Sequence, residues 1–411
     1  MADKPPKVVL FIHHGSASGG AAVSLITLIK KLDRTRYVPL IACDFSHAGI
    51  KRYFEQADAR VIGIDLHLFV HTSSTWKWYT PKGFAKCLLF IIRGYWKTRK
   101  ALFETIKSEA PAFVHLNGLT LLPYSKYIRS LNCPVIQHVR EPLNSGVFGF
   151  RKKILQLFAR NFPSHTIYIS RENRNPFRDL KGGSTVLYNP VDLKPATKEK
   201  NEIRKSLGIG QDDFTIFFPG GSVFVEKGII PFLLSLSIIK QKTAKLRAII
   251  PGIDLDPHPK DKVRRKIDEV IQKNNLSSVI MRLPFSTNVT EYYVACDLVA
   301  VPFVVPHFSR GAIEAGFMAK PVVASRIDVM KEVVEDTQNG LLALPDDASD
   351  LAEKIKMIMD DPILGEKLGE VGFRRSTKEY DAKKYSAVVM SIYDELFIEN
   401  NSISMFSDTN G

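Results

Sequence analysis

The sequence predicts an α/β protein made of two doubly wound parallel sheets, and three observations carry that expectation. At 411 residues the chain exceeds what one hydrophobic core usually serves, so two domains of about 200 residues each are expected. Short β-branched runs recur along it with helix-spaced stretches between them, the alternation of a parallel sheet covered on both faces. The stretch 189–195, Asn-Pro-Val-Asp-Leu-Lys-Pro, interrupts that alternation and a charged segment, 198–205, follows, which reads as a linker.

The first series of strand-like runs comprises 8–12, 38–42, 61–64, 113–116, 135–139, 166–169 and 185–188. Between them Leu25, Leu28, Ile29 and Leu32 give one apolar helical stripe. The second series comprises 214–218, 246–250, 279–282, 298–301, 322–324 and 341–344. Near the end, Tyr385, Val388, Val389, Ile392, Tyr393 and Leu396 mark an amphipathic helix. The expected division is 1–195, 196–378, a terminal helix at 379–399, and a polar tail at 400–411 that lacks apolar periodicity and is expected to fray.

Hydrophobic residues make up 45%, as in a soluble globular protein, while 57 basic against 43 acidic residues leave a net charge of +14. Such a surface attracts phosphates, anionic lipid or other polyanions. Cys43, Cys87, Cys133 and Cys296 are scattered, without metal-ligand spacing, which argues for a reducing setting and against a disulfide framework. The first residues are polar and lead into a strand without the order of a signal peptide. No apolar run approaches the roughly 20 residues of a membrane span. A cytoplasmic location is therefore expected.

Two segments carry the sharpest chemistry. Pro219-Gly220-Gly221-Ser222-Val223-Phe224-Val225-Glu226-Lys227-Gly228 follows the first strand of the second series and opens a helix. Glycines there let backbone approach a pyrophosphate, the helix start favours negative charge, and Lys227 supplies a cation. The second segment, Ser309-Arg310-Gly311-Ala312-Ile313-Glu314-Ala315-Gly316-Phe317, places one acid among small and apolar residues before the strand at 322–324. A lone acid in such company usually has a partner. In the first half, Ile12-His13-His14-Gly15 through Gly19-Gly20-Ala21 is a strand, small-residue loop and helix start, and its spacing is not that of a dinucleotide fingerprint. Val114-His115-Leu116-Asn117 and Gln137-His138-Val139-Arg140-Glu141-Pro142 end strands at carboxyl edges, where ligands of such sheets bind.

Together these segments resemble the retaining glycosyltransferases of family 4, the glycosyl transferases group 1, in which a G-R-x-x-x-x-K-G loop and an E-x(7)-E-A-x-A-x-G-x-P-V-V-A-S segment bind the donor. The resemblance implies the GT-B fold, two Rossmann-like domains facing across a cleft, with the terminal helix crossing back to the first. It implies transfer of a sugar from a nucleotide-diphosphate donor to a glycan or lipid-linked acceptor in surface polysaccharide biosynthesis, without metal or cofactor. Donor binding then falls to Gly220, Gly221, Lys227, Ser309, Arg310 and Glu314, the last meeting the ribose hydroxyls. Gly19, Gly20, His115, Asn117, His138 and Arg140 line the acceptor side. The chain departs from the pattern at Ser222, where the family has arginine, and at Pro306, where it has a first glutamate. Arg310, at a helix start that should face the same phosphates, is read as the replacement cation, so catalysis is expected to rest on Lys227, Arg310 and His138. A GT-B binding or assembly protein without catalysis, or a sugar-nucleotide epimerase, are the alternatives.

The stretch 76–107 interleaves Trp76, Trp78, Phe84, Phe90, Tyr95, Trp96 and Phe103 with Lys77, Lys82, Lys86, Arg93, Lys97, Arg99, Lys100 and Lys107. That pattern suits peripheral attachment to an anionic, cytoplasmic membrane face, with a solvated basic helix as the alternative. Nucleic acid is not expected as a partner, for no binding fold or stacking motif is recognisable.

Overall fold

The computed structural model describes residues 5–15, 19–46, 49–69, 80–143, 145, 149–220, 225–243, 245–253, 262–284, 289–306 and 308–407, with side chains omitted at 262 and 399–407. The chain divides into two compact units, one of residues 1–190 with 382–411, the other of residues 191–381.

The first unit is built on β1 (Lys7–His13), β2 (Tyr37–Cys43), β3 (Arg60–Gly63), β4 (Phe113–Asn117), β5 (Val135–Val139), β6 (His165–Tyr168) and β7 (Gly183–Val186). They form one sheet in the order β3-β2-β1-β4-β5-β6-β7, and every neighbouring pair is parallel. Because successive side chains point to opposite faces, β1 serves two cores. Val9 and Phe11 join Leu25, Leu28 and Ile29 of the helix Gly20–Lys30, whereas Leu10 and Ile12 join Leu102, Tyr124 and Ile128. Burial on both faces explains why the inner strands read as apolar runs, while the edge strands β3 and β7 are only partly buried.

The terminal helix Ala382–Ser407 belongs to this unit, and its Tyr385, Val389, Ile392, Tyr393 and Leu396 share the core of Val9 and Phe11. Asp394 fixes its register by accepting from the Tyr37 hydroxyl at 2.6 Å and pairing with Arg36. Whereas apolar periodicity alone places the end of this helix at 399, the backbone stays helical to Ser407, since neither glycine nor proline interrupts residues 400–407.

The second unit is built on β8 (Phe214–Phe217), β9 (Leu246–Pro251), β10 (Ile280–Leu283), β11 (Leu298–Val301), β12 (Val322–Ser325) and β13 (Leu341–Ala343), in the parallel order β10-β9-β8-β11-β12-β13. Its helix Ile229–Lys240 is apolar nearly all round and accordingly sits in the core, with Phe232, Leu233 and Leu236 fully buried. The unit begins at Val191, whose backbone N–H donates to the Tyr380 carbonyl in a bridge to Asp381, so both ends of the domain meet.

Each sheet therefore contains one point where strand order reverses, between β1 and β4 and between β8 and β11. At such points the loops leaving the carboxyl ends diverge and open a crevice, the usual ligand position in open α/β sheets.

Candidate active site

In the second unit the reversal point gathers the donor-side residues expected from the sequence. Gly220 and Lys227 follow β8, while Ser309, Arg310 and Glu314 follow β11. Gly221 and Ser222 lie outside the described residues. The two loops are tied together, since the Val304 N–H donates to the Glu226 carbonyl at 3.0 Å. Gly228, at φ +75°, lies so close to Pro302 that a Cβ would stand 1.7 Å from its carbonyl oxygen, which requires glycine on both counts.

The Lys227 ammonium donates to the Gly220 carbonyl, and among the described residues no carboxylate pairs with it. Burial lowers its pKa, because a partly desolvated ammonium loses hydration that one carbonyl does not replace. An anion placed there would restore what burial removes.

Ser309 caps the helix Arg310–Phe317, its hydroxyl accepting from the Ala312 N–H at 3.4 Å, which leaves the first turn directed at the same reversal point. One turn on, Glu314 accepts at Oε1 from Arg310 Nη2 at 3.1 Å and Nε at 3.3 Å. Its Oε2 lies 2.9 Å from the Tyr293 hydroxyl, which also stands 3.2 Å from the Gly311 carbonyl and has one proton to share between them. Tyr293 is fully buried edge-on to Phe217. Burial first, and then the Glu314 charge, push its phenol pKa well up, so it stays protonated and holds Glu314 as a donor. Arg310 and Glu314 thus form one partly buried pair, at 17% and 12% side-chain exposure.

The first unit's reversal point has another chemistry. Strand register sets His13 beside Asn117 and Asn117 beside His138 at the carboxyl ends of β1, β4 and β5. Arg140 Nε donates to Asn117 Oδ1, and its Nη1 donates to Asn189 Oδ1 at 2.7 Å. That fixes the Asn117 amide, whose Nδ2 donates to His13 Nδ1 at 2.8 Å and to the Ala21 carbonyl at 3.3 Å.

A guanidinium can only donate, so Arg140 Nη2, 3.4 Å from His138 Nδ1, makes that nitrogen an acceptor. His115 Nε2, 3.2 Å from the same atom, then carries its proton, and His115 Nδ1 accepts from the Tyr393 hydroxyl at 2.7 Å. Both imidazoles are fully buried. Burial and then the Arg140 charge lower the His115 pKa to about 3, and the same causes depress His138 well below its ordinary value. These are neutral histidines that order a network, and His138 presents no surface.

The group that does reach the surface is one that sequence spacing did not single out. His14 Nε2 lies 2.6 Å from Glu141 Oε1, and its Nδ1 donates to the Asn117 carbonyl at 2.7 Å. Glu141 Oε2 in turn accepts from the Leu119 N–H at 2.8 Å. Burial works to lower the His14 pKa, but the Glu141 charge and hydrogen bond outweigh it and raise the value. Gly118, at φ +143°, makes room, for a Cβ there would lie 2.0 Å from the His14 ring. Gly19 and Gly20 begin the helix beside this pair, Gly19 in extended geometry as its cap. His14 and Glu141 are 127 positions apart in the sequence, and only the adjacency of β1, β4 and β5 joins them.

Among the described residues no cluster of three or more His, Cys, Asp or Glu side chains could hold a metal ion. No helix among them is long and apolar enough to cross a membrane.

Comparison with known proteins agrees with this arrangement. Residues 199–375 match the family described as Glycosyl transferases group 1. An uncharacterized glycosyltransferase of Methanocaldococcus jannaschii is 28% identical over 242 residues, covering 58% of this chain and 62% of that protein. A lipopolysaccharide core biosynthesis mannosyltransferase of Rhizobium meliloti is 25% identical over 219 residues, covering 52% and 61%. The chain thus spans about three-fifths of these relatives' length. Among solved structures, Anabaena HepE in complex with UDP superposes with a TM-score of 0.77 at 20% identity, covering 95% of this chain and 100% of that one. Sucrose-phosphate synthase of Thermosynechococcus elongatus gives 0.74 at 17%, covering 96% and 100%. With two Rossmann-like sheets and these structural neighbours, the chain has the GT-B fold, and its residues 199–375 are similar to the glycosyl transferases group 1 family.

Proposed function

We propose that the chain is a retaining glycosyltransferase that moves a sugar from a nucleoside-diphosphate donor to a glycan or lipid-linked acceptor in surface polysaccharide biosynthesis, working in the cytoplasm. The observation that carries this reading is the reversal point of the second sheet, where a partly desolvated Lys227, with no carboxylate partner among the described residues, stands in one loop pair with a capped helix start and the Arg310–Glu314 pair. That is the chemistry of a diphosphate site. HepE, whose fold this chain shares, was solved with UDP and with UDP-glucose, which makes a uridine diphosphate sugar the first donor to test.

In this reading the bond between the anomeric carbon and the departing phosphate oxygen breaks while the acceptor oxygen bonds to the same face of that carbon. The acceptor's proton passes to the leaving phosphate, so charge and atoms balance. Lys227, Arg310 and the N–H groups of the first turn of Arg310–Phe317 take up the charge that grows on the phosphate, and Gly220 and Gly221 let the backbone approach it. No metal or cofactor takes part. Glu314, oriented by Tyr293 and Arg310, accepts from the ribose hydroxyls. In the first unit Gly19, Gly20 and the His14–Glu141 pair orient the acceptor. His115, Asn117 and His138 act as positioning residues that hold Arg140.

The test is a thermal-shift screen with UDP-, GDP-, dTDP- and CMP-linked sugars, followed by transfer of label from the stabilising donor into membrane lipid or polymer. Release of nucleoside diphosphate only in the presence of acceptor is expected. Conversion of the sugar without acceptor would identify an epimerase, and no stabilisation by any donor would leave a binding or assembly protein.

A further inference from the structure

Half of the large hydrophobic side chains that stand exposed among the described residues lie on two neighbouring helical segments of the first unit. One segment runs from Pro81 to Glu109 through a π-helical turn at Phe90–Gly94, and the other is the helix Phe150–Asn161. On the first, Phe84, Leu88, Ile92 and Trp96 recur every four residues at 60%, 45%, 57% and 58% exposure. On the second, Arg151, Leu155 and Ala159 face inward while Phe150, Ile154 and Leu157 face outward, at 59%, 44% and 59%. An amphipathic helix normally turns polar groups to water, so apolar stripes on outer faces call for an occupant. The segments are neighbours, since Phe90 and Leu155 share one buried cluster and Arg151 lies within electrostatic reach of Cys87.

Charge names the occupant. The helix Phe150–Asn161 carries four cations and no acid, and the segment 81–109 carries seven cations against Glu104 and Glu109. Beside Leu157 lies an open groove of about 580 Å³ walled by Lys152, Lys153, Arg160 and Arg178, with no acid lining it. Gln156, whose amide donates to the Pro176 carbonyl, ties its two walls together. Apolar side chains ringed by cations, next to a cationic groove, match one surface in particular, where hydrocarbon lies beneath a layer of anionic phosphates.

We infer that the two-helix face of the first unit docks on an anionic phospholipid surface, with Phe84, Leu88, Ile92, Trp96, Phe150 and Leu157 entering the interface and the Lys152–Arg178 groove seating a phospholipid phosphate. The sequence pattern pointed to the first segment alone, and its residues 76–79 lie outside the described part. The second helix and the groove emerge from the fold. The inference does not depend on sugar transfer, and its test reads no turnover.

The experiment is flotation of the full chain with phosphatidylcholine vesicles, with and without phosphatidylglycerol, at low and high salt. Lys152→Glu/Lys153→Glu and Phe150→Ser/Leu157→Ser variants are compared, with circular dichroism and melting temperature as folding controls. Binding only to phosphatidylglycerol vesicles, weakened by salt, is expected. Each double variant should lower partitioning by about tenfold or more, since each cation near such a surface and each buried apolar group contributes on the order of 1 kcal/mol or more. Equal binding to neutral vesicles, or folded variants that float like the parent, would overturn it. So would a concentration-dependent dimer in sedimentation velocity that Phe150→Ser/Leu157→Ser abolishes, because the face would then belong to a second copy. If a charge reversal unfolds the chain, Lys152→Ala/Lys153→Ala replaces it in the comparison, with the same two outcomes.

Discussion

The two sheets share a strand order up to their sixth strand and differ at the point where that order reverses. In the second unit β8 and β11 lead into an ammonium beside a carbonyl, a capped helix start and an Arg–Glu pair. In the first, β1, β4 and β5 lead into neutral, buried histidines tied to one guanidinium, with the His14–Glu141 pair at the surface. Topology decides where a site sits, and a few loop residues decide what charge it will accept. The second unit is built to meet negative charge. The first is built to hold hydrogen-bonding groups at fixed angles.

The sharpest way to break that contrast is a crossed pair of substitutions. On the proposed role of Lys227 at the leaving phosphate, Lys227→Ala removes a cation whose pull strengthens as charge develops, so kcat/KM should fall by about two orders of magnitude or more while the melting temperature hardly moves. His138→Leu removes a nitrogen that Arg140 and His115 use, leaving two buried donors unpaired at roughly 1–3 kcal/mol each, so it should lower stability first. If Lys227→Ala keeps near-parental turnover, or His138→Leu spares the melting temperature and abolishes turnover, the two points have exchanged roles.

The sequence made much of this legible, for identifiable reasons. The inner strands of both sheets coincide with apolar runs, because a parallel strand buried on both faces has no polar alternation to blur it, whereas the half-exposed edge strand Gly183–Val186 only overlaps the run at 185–188. The loop with Lys227 and the helix with Glu314 were visible because their residues are contiguous. The His14–Glu141 pair and the Tyr293 contact to Glu314 were not, since each joins side chains through strand register or helix packing that local spacing does not encode. The outer apolar stripe of Phe150–Asn161 was hidden too. Only the fold shows that Leu155 and Ala159 face inward and leave Phe150, Ile154 and Leu157 exposed.

A second, smaller effect sharpens the picture of the second unit. Glu314→Gln keeps the shape and discards the charge, so hydrogen bonds to a carboxylate become bonds to an amide and the pair with Arg310 is lost. Donor affinity should drop by about 1.5–3 kcal/mol in calorimetry. Tyr293→Phe removes one donor to Glu314 from a site that Arg310 still orients, and should cost only about 1 kcal/mol. Equal losses in the two variants would mean that Tyr293, and not the charge, sets the carboxylate's position. Unchanged affinity in Glu314→Gln would remove the ribose role.

The smallest effect is a difference in sign between the histidines of the first unit. His14 has a folded pKa above its ordinary 6.5, because Glu141 outweighs a burial that acts the other way. The groups facing it are the Glu141 carboxylate, the Asn117 carbonyl, the Arg140 guanidinium and the His13 ring at 5.7 Å. The stability it adds is therefore fully present below pH 6.5 and is lost as pH rises through the folded value. His115, lowered to about 3 chiefly by burial, has the opposite linkage. Its contribution is present above pH 6.5 and is lost as pH falls towards 3, because the unfolded chain binds a proton that the folded chain refuses. In a melting-temperature series, His14→Gln should flatten the decline just above pH 6.5 and leave the acid limb alone. His115→Asn should lower stability at neutral pH and soften the fall between pH 6.5 and 5, before most carboxylates titrate. If His14→Gln alters only the acid limb, the imidazole is neutral in the folded protein, and the His14–Glu141 contact is a plain hydrogen bond instead of an ion pair.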